Sequence, residues 1–232
     1  MHAVRVDERE LARRGIDLAE HLARHDRLWP GQLAILGCLA LYALLPQRLS
    51  FGPNGLLPAA ELAVLVVLFV ATRRDLGVTL RRGLTLGLLV VVTATNLVSL
   101  GLLVHYLLEG GKARGTDLIA GGVLIWSTNL LLFAVWFWWV DRGGPLNAEG
   151  GQSPALPDFL FPEMTTEKYA MPGWKPTFFD YLFVSLTNQS AFSPTDTLPL
   201  TLRVKLLMGI QASAALVTVG VIIARAVNVL GS

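Results

Sequence analysis

Ten consecutive residues, Thr187, Asn188, Gln189, Ser190, Ala191, Phe192, Ser193, Pro194, Thr195 and Asp196, place four hydroxyls, two amides and one carboxylate between two apolar stretches. Oxygens of this kind can replace part of the hydration shell of a small cation, which is how a weakly selective, wet ion site works. The same residues also read as a cap. Ser193 fits an N-cap, Pro194 the first helical position, and Asp196 the acid that follows. Three more polar residues fall inside apolar segments: Glu61, Asn96 and Asn129. An ionisable residue in a span is a functional candidate, yet Glu61 stands one turn inside its helix, where it can reach headgroups or favour the helix dipole. Asn96 and Asn129 can hydrogen-bond across two neighbouring helices, a common form of membrane glue, or serve transport. His21 and His25 have the i, i+4 spacing of a metal clamp. A solvated helix face explains them as well, and no Cys or carboxylate pattern completes a site. The sequence offers no acid–base pair, metal cluster or activated nucleophile, so neither enzyme activity nor a cofactor nor a metal is expected.

The elements that must position these residues follow from composition. Of 232 residues, 53% are hydrophobic and 16% charged, with a mean hydropathy of +0.54. A soluble domain carries roughly 25% charged residues, so the chain reads as a multi-pass membrane protein and its first partner is the lipid bilayer. A net charge of +2 is too small to suggest nucleic acid. Cys38 is the only cysteine, which excludes an internal disulfide. No basic-then-apolar leader opens the chain, so the first span is expected to act as its own insertion signal.

Four segments are expected. Residues 1–29 form an amphipathic surface helix, with Leu11, Leu18 and Leu22 near one face and Trp29-Pro30 at its end. Residues 30–140 hold four membrane helices: Gln32–Leu45, ended by Pro46; Leu57–Thr72; Leu84–Leu108; and Leu118–Val140, anchored by Trp136, Trp138 and Trp139. Between the second and third, Arg73, Arg74, Arg81 and Arg82 crowd a short loop. Residues 141–176 are an aqueous Gly/Pro-rich loop whose Phe159, Phe161, Tyr169 and Trp174 fold back on the membrane face. Residues 177–232 hold a half-length helix, Phe178–Leu186, a polar turn, Thr187–Pro199, and a last span, Thr201–Leu230. The fold class is all-α: five transmembrane helices, a re-entrant pore-loop-like hairpin and the surface helix. Backbone that leaves the helix at membrane depth must be buried by protein or water-filled, which marks the hairpin as the place for function.

The run Asp180-Tyr-Leu-Phe-Val-Ser-Leu-Thr, a turn ending in Asp196, Pro199, and a span ending Ala-Arg-Ala-Val resembles the pore region of tetrameric cation channels of the potassium-channel kind. The resemblance covers residues from about 118 to 230. It puts Ala191, Phe192, Ser193, Pro194, Thr195 and Asp196 at the positions of the family's Thr-Val-Gly-Tyr-Gly-Asp filter, where Asp196 alone matches. Ser193 and Thr195 stand where glycines turn the family's backbone, and Pro194 fixes its own φ. The resemblance therefore implies a homo-oligomer, a tetramer, passing monovalent cations with weak selectivity. From Trp126 onward the motifs DRGGP, DFLFP, GW-x-P, DYLF and AFSPTD also resemble a family of bacterial integral membrane proteins without an established function, which implies an inner-membrane location and no reaction.

A second reading stays open: a non-conducting scaffold or sensor whose long loop binds a partner. Gly209, Ser213 and Gly220 permit close helix contact, between subunits or within one chain. The bias of basic residues toward the cytoplasm puts the N-terminus inside and, with five spans, the C-terminus outside. That places the hairpin on the cytoplasmic side, the reverse of cation channels.

Overall fold

The computed structural model describes residues 28–50, 63, 66, 77–108, 115–145, 156–166, 174–190 and 196–230. Residues 1–27 of the surface helix expected over 1–29, Glu61, and Ala191 to Thr195 lie outside them. Of the second expected span, Ala63 and Val66 are described, and both are helical and exposed.

The chain is mostly helical. Helix α1 is Trp29–Ala43, with Pro30 in its first turn, where a missing N–H breaks no hydrogen bond. Trp29-Pro30 therefore opens this helix. At ~1.5 Å per residue, α1 is shorter than the ~30 Å apolar core of a bilayer, so as a span it would need the bilayer to thin locally. A 3-10 turn, Gln47–Leu49, follows Pro46. Helix α2 is Val78–Leu108. It starts before the expected Leu84, because nothing between Val78 and Arg82 breaks a helix, and so takes two of the loop arginines into its first turns. Helix α3 is Gly115–Val140. It ends in a tight turn in which Arg142, Gly143 and Gly144 have φ of 53°, 80° and 84°. A Cβ on Gly144 would meet the Trp139 carbonyl oxygen at 2.7 Å, so only glycine fits.

The Gly/Pro-rich loop is not structureless. It contains strand β1, Phe159–Leu160, and helix α4, Pro162–Thr165. Helix α5, Phe178–Ser190, runs past the expected Leu186. Thr187 to Ser190 are thus its last turn, not part of the polar turn. Strand β2, Leu198–Pro199, pairs antiparallel with β1, Phe159 opposite Pro199 and Leu160 opposite Leu198. An all-helical chain is corrected to that extent. Pro199 is tolerated in a two-stranded pair that has no second neighbour to bond. Asp196 lies in a turn, and the last helix, α6, begins only at Leu202 and ends at Leu230.

Thr79–Leu108, Asp117–Gly143 and Leu202–Val227 are long and apolar enough to cross a membrane, which marks the chain as a membrane protein. Helix α3 is central and packs against α1, α2, α5 and α6. Its partners run antiparallel to it. Trp136 Nε1 donates to Thr93 Oγ1 at 2.9 Å at the middle of α2, while Gly122, earlier in α3, faces Leu103 and Ile222, later in α2 and α6. A third apolar cluster sits at the C-terminal end of α3. There Phe133, Phe137, Phe159, Phe161, Tyr181, Val184, Val204 and Met208 are buried together. Phe159 packs edge-on to Phe137 at 5.4 Å, and Phe161 on Tyr181 at 5.5 Å and Trp174 at 5.7 Å. The loop does fold back at these three aromatics, each buried one contributing about 1.5–3 kcal/mol against water; Tyr169 lies outside the described residues.

Candidate functional site: a half-helix sealed by amides

Helix α5 starts where its own first turn is capped. The Thr177 N–H and hydroxyl donate to Asp180 Oδ2 at 2.6 and 2.8 Å, which ties an acid to the positive end of the helix. From there α5 descends along α3. Tyr181 reaches Asp141 at the end of α3, Ser185 Oγ donates to the Leu130 carbonyl at 2.7 Å, and Gln189 Nε2 donates to the Trp126 carbonyl at 2.8 Å. Its thirteen residues thus run from the end of α3 to about its middle. Phe179, Phe183 and Leu186 are exposed on the other side.

At the foot of α5 lies a cluster of buried amides. Asn129 Nδ2 donates to Gln189 Oε1 at 2.9 Å and to the Gln211 carbonyl at 3.3 Å. Asn188 Nδ2 donates to Gln211 Oε1 at 2.8 Å and to the Met208 carbonyl at 3.1 Å. Gln211 Nε2 in turn donates to Ser185 Oγ at 2.7 Å. Gln189 and Gln211 are among the largest fully buried side chains described. Amides away from water need partners, and here three elements, α3, α5 and α6, supply them to one another. The cluster therefore fixes the depth and rotation of α5.

At the end of α3 a second polar group closes the top. Asp141 accepts from the Tyr181 hydroxyl at 2.6 Å and from the Asp158 and Phe159 N–H groups at 2.6 and 3.3 Å. Asp158 accepts from the Thr201 hydroxyl at 2.6 Å, and from Arg203 Nε at 2.6 Å and a second guanidinium nitrogen at 2.5 Å. Both carboxylates have fully buried side chains. Burial alone would push the Asp158 carboxyl up. The hydrogen bonds from Arg203 and Thr201, the Arg203 charge and the Arg142 N–H outweigh it and hold the carboxyl below the ordinary range. With β1–β2, this group joins the start of α6, the long loop, the start of α5 and the end of α3.

The residues singled out from sequence fall into separate places. Asn188 and Gln189 are in the amide cluster. The Thr187 hydroxyl turns back to the Phe183 carbonyl of its own helix at 2.9 Å. Ser190 and Asp196 are exposed. Ala191, Phe192, Ser193, Pro194 and Thr195, like Glu61, lie outside the described residues. Asn129 is in the cluster, and its Oδ1 accepts no hydrogen bond. It therefore bonds to α5 and α6: its N–H groups go to the Gln189 side-chain oxygen and the Gln211 backbone carbonyl, its Oδ1 takes no bond from Asn96, and the expected Asn96–Asn129 pair is not made. Asn96 is buried on α2.

Sequence reading missed Gln211, Ser185, Asp141, Asp158, Tyr181, Thr201 and Arg203. Gln211 had a signal: it is an amide in the apolar half of a span. Asp158 and Arg203 had none, being 45 residues apart in two different segments.

No family model matches the chain, and neither a curated protein nor a solved structure is significantly similar to it. Fold and site together define the class: a helical membrane protein in which a half-length helix is sealed against two of the three helices that, among the described residues, are long and apolar enough to cross.

Proposed function

We propose that the chain is a multi-pass inner-membrane protein with five spans, that α5 is the descending limb of a re-entrant hairpin, and that copies of it around one axis, as in a tetramer, pass small monovalent cations with weak selectivity. One observation carries the reading. Helix α5 enters at the end of α3 that Asp158 and Thr201 share, and stops level with Gln211, while the chain is back beside Asp158 by Leu200, whose N–H donates to the Asp158 carbonyl at 2.8 Å. A chain that enters and returns by the same end supports a hairpin. Its C-terminal carbonyls carry the negative end of the helix dipole to mid-depth, where a cation losing water gains most from it. The path would then be lined by the turn that holds Asp196, and by nothing in the amide cluster.

The second reading, a non-conducting scaffold or sensor, is favoured by the cluster itself. Asn188 and Gln189, two of the ten candidate lining residues, are used within the chain. Flux decides between them. Purified protein in liposomes should leak K⁺ and Na⁺ at similar rates, with Asp196→Asn lowering the leak several-fold and leaving thermal stability unchanged. A monomer in lipid, or tight liposomes, would leave the scaffold.

A further inference from the structure

Three helices meet at Gly122. A Cβ there would lie 2.6 Å from Ile222 Cγ1 of α6 and 3.7 Å from Leu103 Cδ2 of α2. Asn129 stands seven residues further along α3, two turns at ~3.6 residues each, and so on the same face. Ser99 and Asn96 stand one and two turns before Leu103 on the facing side of α2. Because the helices are antiparallel, going up α3 from Gly122 and back along α2 from Leu103 leads to the same depth. Helical side chains lean toward the N-terminus, which tilts Asn129 back toward the level of Ser99. On α6 the residue two turns before Ile222 is Ala215, which is fully buried and small. The junction therefore has a polar lining from α2 and α3 and a small residue opposite.

Two atoms in it have no hydrogen-bond partner among the described residues: Ser99 Oγ and Asn129 Oδ1. Both residues are 1% exposed. The Asn129 amide cannot be turned around to remove the mismatch, because its nitrogen already donates to Gln189 and to the Gln211 carbonyl. Leaving a buried polar group unpaired costs about 1–3 kcal/mol, and buried polar atoms left by the protein are where structural water binds.

We propose that one buried water bridges Ser99 Oγ and Asn129 Oδ1 at the junction of α2, α3 and α6, with the Asn96 amide one turn away. Water is the class of ligand that fits. It needs two to four polar partners, it can donate to Asn129 Oδ1, and it can pair with a hydroxyl in either direction. A dehydrated hard cation takes about six or more oxygens and favours carboxylates, and neither is offered. The bridge links α2 to the amide cluster that sets the depth of α5, and it holds whether or not the hairpin conducts.

The sign of one substitution tests it. In the full chain in detergent or nanodiscs, Ser99→Ala should lower the unfolding midpoint by about 2–4 °C, because the water loses a partner. A hydroxyl that is merely stranded would leave the midpoint unchanged or raise it, and that overturns the proposal. Nuclear magnetic resonance on asparagine-labelled protein should show a water cross-peak to the Asn129 side-chain amide, lost in Ser99→Ala. No cross-peak in the unmodified chain, or one that survives the substitution, also overturns it. The cross-peak in the unmodified chain decides the matter if the variant fails to fold. Replacing choline by Na⁺ or K⁺ at fixed ionic strength should not move the midpoint. A rise that Ser99→Ala abolishes would assign the site to a cation instead.

Discussion

Arg203 holds Asp158 through two guanidinium nitrogens, at 2.6 and 2.5 Å, across 45 residues of sequence. The arginine is half in water, its side chain 55% exposed, while the aspartate is fully buried. This asymmetry sets the cost of breaking the pair. Arg203→Ala loses little on the exposed side, yet leaves a buried carboxylate with fewer donors. Unfolding in detergent should register a loss of about 1–3 kcal/mol. Arg203→Lys should recover only part of it, because an ammonium cannot make the two-pronged contact.

The same pair fixes a pH dependence. The Asp158 carboxyl lies below the ordinary carboxylate range in the fold and near ~3.9 when unfolded. Its contribution is therefore fully present above that value and is lost as pH falls through the folded one. The stability gap between the unmodified chain and Asp158→Asn should be constant from neutral pH down to about 4 and shrink below it. A gap that shrinks between pH 8 and 5 would mean another group dominates.

Gln211 is the hub of the amide cluster, and Gln211→Leu removes its bonds to Asn188, Ser185 and Gln189 together. Interhelical hydrogen bonds in membranes contribute about 0.6–2 kcal/mol each, so the variant should lose about 1–3 kcal/mol in thermal unfolding. It should also expose the foot of α5 to limited proteolysis or hydrogen exchange. A variant as stable as the parent would show that packing alone holds α5.

Gly144 combines a φ of 84° with a backbone oxygen 2.7 Å from where a Cβ would sit. Gly144→Ala is strained on both counts and should cost about 1–3 kcal/mol. Among the described residues, Gly209→Ala and Gly220→Ala meet nothing within 4 Å, so in monomeric protein they should be neutral. If they weaken self-association instead, that face of α6 is where copies touch.

Orientation is tested at the end of the chain. Arg81 and Arg82 of α2, and Arg203 and Lys205 of α6, belong to the same end of the bundle as Asp141. The bias of basic residues predicts that this end faces the cytoplasm. A reporter fused after Ser232 should signal from the outer side, and a cytoplasmic signal would reverse the arrangement.

The sequence by itself determined the solvent and the long helices, though not the short elements β1, α4 and β2. Long apolar runs interrupted by arginines and prolines can be nothing but helices in lipid, because each residue's hydropathy and each breaker act locally. The C-terminal ends of α2 and α3, the fold-back of Phe159 and Phe161, and the break before α6 were legible in that way; the start of α2 at Val78 was not. Tertiary structure alone decided which polar residues meet. Asn129 was visible as a polar residue in a span, but whether it faced Asn96 or Gln189 and Gln211 depended on how three helices rotate about their axes. Asp158 lay in the long loop and Arg203 at the start of the last span, and nothing joined them until β1 and β2 paired. Spacing along the chain carries local periodicity and says nothing of rotation and register between distant segments, and at mid-depth in a bilayer it is rotation that decides whether an amide is a lining or a lock.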